Sequence, residues 1–250
     1  MRLYKADLHI HSALSPCGDL EMGPGNIISQ GISRGLDIIS LTDHNMSENC
    51  IALKIAAESR IFFIPGIEVS TMEDIHVLVY FASLTDSLRF QDILSRHFPP
   101  VKNVPEKFGY QVVVDSNENI IRMEDRLLIS PVNLELENVI ETARGFDTMI
   151  VLSHIDSDSF SITSQLGFIP EGLNIDGVEI QKRESESMAD SLKYPAITSS
   201  DAHYPGDIGR RYTEFFIKEP TLKELKLALK SYGGRSFRRV WRYSEQKENF

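Results

Sequence analysis

The chain alternates short apolar, β-branched runs with stretches whose apolar positions recur every three to four residues, the signature of strands alternating with amphipathic helices. A first strand ends at about residue 11, and a loop over 12–23 is marked by Pro16, Gly18 and Gly23. Pro24 suits the first turn of a helix over 24–34, with Gly35 past its end. A second strand follows at 37–42, and Ser47 is placed to cap a helix to about residue 59. Strands are expected at 61–67 and 75–81. Strands and helices in alternation predict a parallel α/β architecture.

The rhythm then breaks. A helix over 86–98 runs into Pro99, Pro100 and Pro105, and two β runs flank a polar turn within 110–121, the pattern of a hairpin. A helix over 133–144 leads to a strand ending at His154. Residues 84–132 therefore read as an insertion, expected to cap the mouth of the fold. Beyond it come a helix over 160–168, a strand over 174–180, a helix over 185–192, a strand ending at His203, a strand over 211–217 and a helix capped by Thr221. No internal repeat or low-complexity segment interrupts this order.

A length of 250 residues accommodates one α/β barrel, and 42% hydrophobic with 25% charged residues is ordinary for a soluble globular protein. The net charge of −10 works against a broad nucleic-acid or anionic-membrane footprint. No apolar run approaches the roughly 18 residues a membrane span needs, and no signal-type apolar region follows Met1. Two cysteines, Cys17 and Cys50, are too few for a disulfide framework, so reduced thiols and a cytoplasmic location are expected. Cys17 reads as an ordinary loop cysteine close to the candidate site. The basic tail, Arg235, Arg238, Arg239 and Arg242, reads as a solvated face pairing with acidic residues.

The candidate chemistry lies at the strand ends. In Asp7-Leu8-His9-Ile10-His11, residues two apart share a face, so His9 and His11 aim their imidazoles the same way, a favoured arrangement for zinc, iron and related ions. His44, His76, His154 and His203 lie in or at the ends of other apolar runs, accompanied by Asp7, Asp43, Glu68 and Asp201. Charged groups at the ends of buried strands are costly unless paired or bound to metal, so their recurrence implies one shared polynuclear site. His97 reads as a surface histidine. No Gly-x-Ser-x-Gly elbow and no Gly-rich phosphate loop is present.

Asp-Leu-His-Ile-His-Ser at 7–12, Leu-Thr-Asp-His-Asn at 41–45, Pro-Gly-Ile-Glu-Val at 65–69, His76, Ser-His at 153–154 and Ser-Asp-Ala-His at 200–203 occur in that order. Together they resemble the PHP (polymerase and histidinol phosphatase) family of metal-dependent phosphoesterases, most closely its small stand-alone bacterial members. The resemblance implies a distorted seven-stranded (β/α) barrel with up to three metal ions at the C-terminal ends of its strands. His9, His11, Glu68 and Asp201 would hold one ion, Glu68 would bridge to a second held by His76 and His154, and Asp19, His44 and His203 would hold the third. Glu68, Asp201 and His203 are the expected catalytic residues, with Asp7 and Asp43 orienting imidazoles.

Zn, Mn or Fe suits this mixed ligation better than Mg alone. Closely spaced cations lower the pKa of a bridging water, polarise phosphoryl oxygens and neutralise the leaving oxygen. Lys182, Arg183 and Arg210 are placed to help hold the phosphate. The expected activity is hydrolysis of a small phosphomonoester, a nucleotide or sugar phosphate. The alternatives are a 5′-to-3′ exonuclease on short oligonucleotides, a histidinol-phosphate phosphatase and a non-catalytic metal-dependent scaffold.

Overall fold

The computed structural model describes residues 1–242 of the chain. Its strands are β1 (Arg2–Ile10), β2 (Ile38–Leu41), β3 (Phe62–Ser70), β4 (His76–Phe81), β5 (Val112–Val114), β6 (Ile120–Met123), β7 (Thr148–Leu152), β8 (Gly177–Glu179), β9 (Ala196–Ile197), β10 (Arg211–Ile217) and β11 (Ser236–Trp241). The helices are α1 (Pro24–Ser33), α2 (Asn49–Ala57), α3 (Leu84–Ser95), α4 (Pro105–Phe108), α5 (Leu136–Arg144), α6 (Ile162–Leu166), α7 (Glu186–Ser191) and α8 (Leu222–Leu229).

Nine strands form one sheet in the order β11-β10-β1-β2-β3-β4-β7-β8-β9. The sheet curls until the segment after β9 reaches β1, where Ala202 pairs in parallel with Ile10 and the Ala202 carbonyl accepts the His11 amide at 3.0 Å. The strands β1, β2, β3, β4, β7, β8 and β9 thus make a nearly closed barrel, the expected distorted (β/α)7 form. The hairpin β10–β11 continues the sheet outside it, against the first half of β1.

One strand departs from the expected parallel order. β4 runs antiparallel to both β3 and β7. Only residues 71–75 separate β3 from β4, far fewer than the dozen or so a parallel crossover needs, so the chain turns back in a tight hairpin, with Asp74 at φ 58°. The reversal brings the start of β4, not its end, to the rim where the other strands finish. That is why His76 opens its run while the other rim histidines close theirs.

The core follows from the β-branched strands. Ile67, Val69, Val77, Val79, Ile150 and Leu152 face helices α3 and α5 in one cluster, while Leu8, Ile38, Ile64, Leu78, Val151 and Phe215 fill another. Helix α3 buries Phe90 and Leu94 in the first cluster and so belongs to the barrel wall. The elaboration proper comprises α4 and the β5–β6 hairpin, whose Val112 amide donates to the Ala13 carbonyl at 2.8 Å and whose Val113 packs with Leu14, Met46 and Leu128.

Two local expectations shift. The N-cap of α2 is Glu48, while the Ser47 amide donates to the Gln91 side chain at 2.7 Å. The basic tail forms β11, which periodicity had not marked as a strand, but its arginines do pair with acids. Arg235 grips Glu224 through two hydrogen bonds, Arg238 reaches Glu214 and Arg239 reaches Asp190.

The elaboration is seated on the loop after β1 through Gly109. At φ +102°, a Cβ there would stand 2.0 Å from the Pro16 carbonyl oxygen. Gly109→Ala is therefore expected to lower unfolding free energy by roughly 1–3 kcal/mol or more, the cost of a strained backbone plus the clash, readable by chemical denaturation.

Candidate metal centre

Six of the seven histidines meet in one pocket at the barrel rim. Their rings form a circuit: His9 to His11 at 5.1 Å between centroids, His11 to His44 at 4.8 Å, His44 to His76 at 5.1 Å, His76 to His154 at 5.3 Å and His154 back to His9 at 6.1 Å. His203 stacks on His11 at 4.5 Å. Glu68 stands in the middle. Its Oε1 lies 3.4 Å from His9 Nε2, 3.2 Å from His76 Nδ1 and 3.3 Å from His154 Nε2, and its Oε2 lies 3.3 Å from both His11 Nε2 and His44 Nδ1. Asp201 Oδ1 closes on His9 at 3.3 Å and His11 at 3.2 Å.

Each of these groups is delivered by a strand end. His9 lies near the end of β1 and His11 directly follows it, and Glu68 lies in β3 opposite His44, with the Asn45 amide donating to the Glu68 carbonyl at 2.8 Å. His76 opens the reversed β4 and His154 follows β7. Asp201 and His203 follow β9 on the segment that closes the barrel. Backbone strain gathers here: Asn45 (φ 52°), His154 (26°), Phe160 (56°) and Asp201 (51°) all take positive φ, which non-glycine residues rarely adopt. Phe160 stacks on the His76 ring at 4.9 Å and accepts the His76 amide through its carbonyl.

The donor set fits metal ions. His9 Nε2 and His11 Nε2 face each other at 3.1 Å, His76 Nδ1 and His154 Nε2 at 3.3 Å, so lone pairs converge. His44 Nδ1, His76 Nε2, His154 Nδ1 and Glu179 Oε1 are buried without a hydrogen-bond partner, and buried polar atoms are seldom left so. Among the described residues, three groups have ligating atoms within 4.8 Å of one another: His9, His11 and Asp201; His44, Glu68 and His76; and His11, Cys17, His44 and His203.

The electrostatics run the same way. Burial pulls the His9 imidazole down, but Asp201, Glu68 and Glu179 outweigh it and leave its pKa well above the ordinary value. His11, likewise buried but hydrogen-bonded to Asp201 and Glu68, is raised to about 9. Burial works to raise Glu68, yet His76, His9 and His44 hold it well below the usual carboxylate range. The carboxylates thus make the pocket an attractive place for positive charge. His203 goes the other way, lowered to about 4 by burial and by His11.

The structure also places the other expected residues. Asp43 acts on His11 through Ser15, whose hydroxyl lies 3.0 Å from His11 Nδ1 and 2.7 Å from Asp43 Oδ1. Asp7 touches no imidazole; it accepts the amides of Ser200 at 2.9 Å and Gly209 at 2.7 Å and so pins the loop carrying Asp201. Asp19 falls outside the ligating groups: its Oδ1 caps the Glu21 amide at 2.8 Å within its own loop, and Cys17 stands in the cluster instead. Arg210 is spent on the Ser200 carbonyl and Asp207, Lys182 lies 3.5 Å from Asp158, and Arg183 is exposed on a 3-10 turn. None of these three cations lines the cavity of about 210 Å³ above the histidines, which Ile129, Ser157, Ser159, Phe160 and Gln181 help to wall.

Sequence reasoning missed Glu179. It is fully buried at the end of β8, and its Oε2 lies 3.0 Å from His9 Nδ1 and accepts the His154 amide at 3.3 Å. A carboxylate on the second ring nitrogen fixes the tautomer and orientation of an imidazole. The signal was present, since an acid ends the apolar run before Gln181 as Glu68 ends its own.

Comparison with known proteins agrees with this fold. The PHP-associated family model matches residues 179–231. A curated relative, the uncharacterized protein YqxK of Bacillus subtilis, is 26% identical over 170 residues, 64% of this chain and 38% of that protein. Among solved structures, the lesion-specific endonuclease EndoQ of Pyrococcus furiosus matches with a TM-score of 0.72 at 21% identity, over 94% of this chain and 57% of the other. A candidate metal-dependent phosphoesterase of Bifidobacterium adolescentis matches with a TM-score of 0.52 at 18% identity, over 80% of this chain and 88% of the other. The chain spans well under two thirds of YqxK and of EndoQ. The family match begins at Glu179 beside His9 and runs through the Asp201–His203 loop, so part of the pocket itself lies in the matched segment.

Proposed function

We propose that the protein is a metal-dependent phosphoesterase acting on a small phosphomonoester, a nucleotide or sugar phosphate. The observation that carries this reading is the circuit of imidazoles around Glu68, with Asp201 on its edge: a donor set for two or three divalent ions of the Zn, Mn or Fe kind. When bound, such ions supply Lewis acidity toward phosphoryl oxygens and a nucleophile from water at neutral pH.

The chain's own groups hold and orient. His9, His11, Asp201 and Glu68 would hold one ion, His76, His154 and Glu68 a second, and His44 and His203 would contribute to a third. Ser153 donates to Glu68 Oε1 at 2.9 Å and Gln181 Nε2 to Asp201 Oδ2 at 2.8 Å, fixing both carboxylates. His203, with a side chain 26% exposed against 9% or less for the other five, is the imidazole best placed to meet substrate. Lys182, Arg183 and Arg210, lying outside the cavity, would act on the approach of an anion rather than on the bound phosphate. The segment after β6 brings Ile129 to the cavity wall and ties its carbonyls at Leu128 and Ser130 to Asn45, which supports a capping role for the elaboration. No helix among the described residues is long and apolar enough to cross a membrane. With Cys17 and Cys50 both unpaired, we place the protein in the cytoplasm.

A second reading, cleavage of phosphodiesters at the end of a short oligonucleotide, draws on a solved Endonuclease Q complex with a 27-mer duplex bearing an abasic lesion at its active site. That structure shares the fold at a TM-score of 0.70 and 22% identity. The net charge of −10 weighs against a long duplex here. Elemental analysis of the purified protein followed by a phosphoester panel tests both readings. Release of inorganic phosphate from nucleotides supports the first, accumulation of mononucleotides from an oligomer the second, and no turnover by ion-loaded protein leaves a metal-binding scaffold.

Stripping the ions with a chelator is expected to lower Tm. Restoring them at about 100 times their Kd returns about 2.7 kcal/mol, read by thermal denaturation. An unchanged Tm would mean that the pocket holds no ion.

A further inference from the structure

Among the clustered ligating side chains of the pocket, otherwise imidazoles and carboxylates, one has a different chemistry. The loop after β1 is wound tightly, with the Ser15 amide donating to the Ser12 carbonyl and the Gly18 amide to the Ser15 carbonyl, and the Asp19 amide ties it to the His203 carbonyl at 2.9 Å. That winding turns Asp19 into its own loop and presents Cys17 to the pocket. The Cys17 sulfur lies within 4.8 Å of ligating nitrogens of His11, His44 and His203, and Cys17 also lines the cavity. Independently, His44, 3% exposed, keeps its Nδ1 without a hydrogen-bond partner.

We infer that Cys17 is a thiolate ligand, completing with His44 and His203 the ion position at the outer edge of the pocket. The inference rests on the metal-dependent reading above and replaces Asp19 as that position's third protein ligand. On binding, the S–H bond breaks, the proton leaves to water and the sulfur lone pair goes to the cation. Sulfur selects among ions where imidazole does not: a position with one thiolate and two imidazoles favours zinc or ferrous iron over manganese or magnesium. The three positions then differ in metal preference.

Cobalt(II) tests this without reference to turnover, because a thiolate bound to cobalt adds a near-ultraviolet charge-transfer band that imidazole and carboxylate do not. Chelator-treated protein titrated with cobalt(II) is expected to develop this band in wild type and in Cys50→Ala, whose sulfur is buried against the Leu41 and Gly66 carbonyls, and to lack it in Cys17→Ser. A second measurement needs no variant: zinc should slow alkylation of Cys17 by iodoacetamide at least tenfold, followed by peptide mass. Visible cobalt bands with no charge-transfer band in wild type, or an equal band in Cys17→Ser, would overturn the assignment while leaving the metal reading intact. No cobalt spectrum at all would overturn both.

Discussion

Glu68→Gln is expected to cut phosphoester turnover by about 10³-fold or more and to leave the purified protein short of at least one ion. The carboxylate lies within 3.4 Å of five imidazole nitrogens, so among the described residues no other side chain touches as much of the pocket. The amide keeps the volume and one acceptor oxygen but removes the charge that the two proposed ion positions would share. Losing one ion forfeits several kcal/mol of transition-state charge stabilisation, and about 4 kcal/mol at roughly 1.4 kcal/mol per tenfold gives that factor. Turnover and metal content are read on the same preparation. Full activity with full metal content in Glu68→Gln would refute its bridging position.

The second large effect is expected from Glu179→Gln, which changes no proposed ligand. Glu179 holds His9 by its second nitrogen and steadies the His154 backbone. Replacing the carboxylate by an amide allows His9 to adopt either tautomer and weakens the nitrogen that faces Glu68. Loss of such a partner costs roughly 10–100-fold in metal affinity or activity. A purely structural role would instead lower Tm equally with and without ions. The two are separated by measuring ion affinity directly, and by excess metal, which should recover much of the lost activity only if Glu179 acts through His9.

Much of this site was legible because barrel ligands must stand where strands end, and strand ends are what hydrophobic periodicity locates. His9, His11, His44, His154 and His203 were each found as polar punctuation after apolar runs, and Glu68 by the cost of burying a charge. The same reasoning applied evenly would have found Glu179. Cys17 was harder. A loop has no periodicity, and which of Cys17 and Asp19 faces inward is decided by turns among Ser12, Ser15 and Gly18 and by a hydrogen bond to residue 203, nearly two hundred positions away. Lys182, Arg183 and Arg210 stood in plausible places along the chain, but proximity in sequence to a ligand does not determine where a long side chain finds its partner. β11 escaped notice because its outward residues include arginines, Arg238 and Arg239, that compensate acids on β10 and α7 rather than form an apolar face.

The direction of β4 has a further consequence, one of parity. In an ordinary βα unit the strand climbs to the rim and the helix descends, so any excursion after the helix falls on the far side from the chemistry. Here the strand descends and α3 climbs, and the chain emerges beside the mouth; α5 then carries it down again to begin β7. Residues 96–135 are therefore held at the rim between an ascending and a descending helix. Additions or deletions there alter the approach to the histidine pocket while the barrel's register stays untouched.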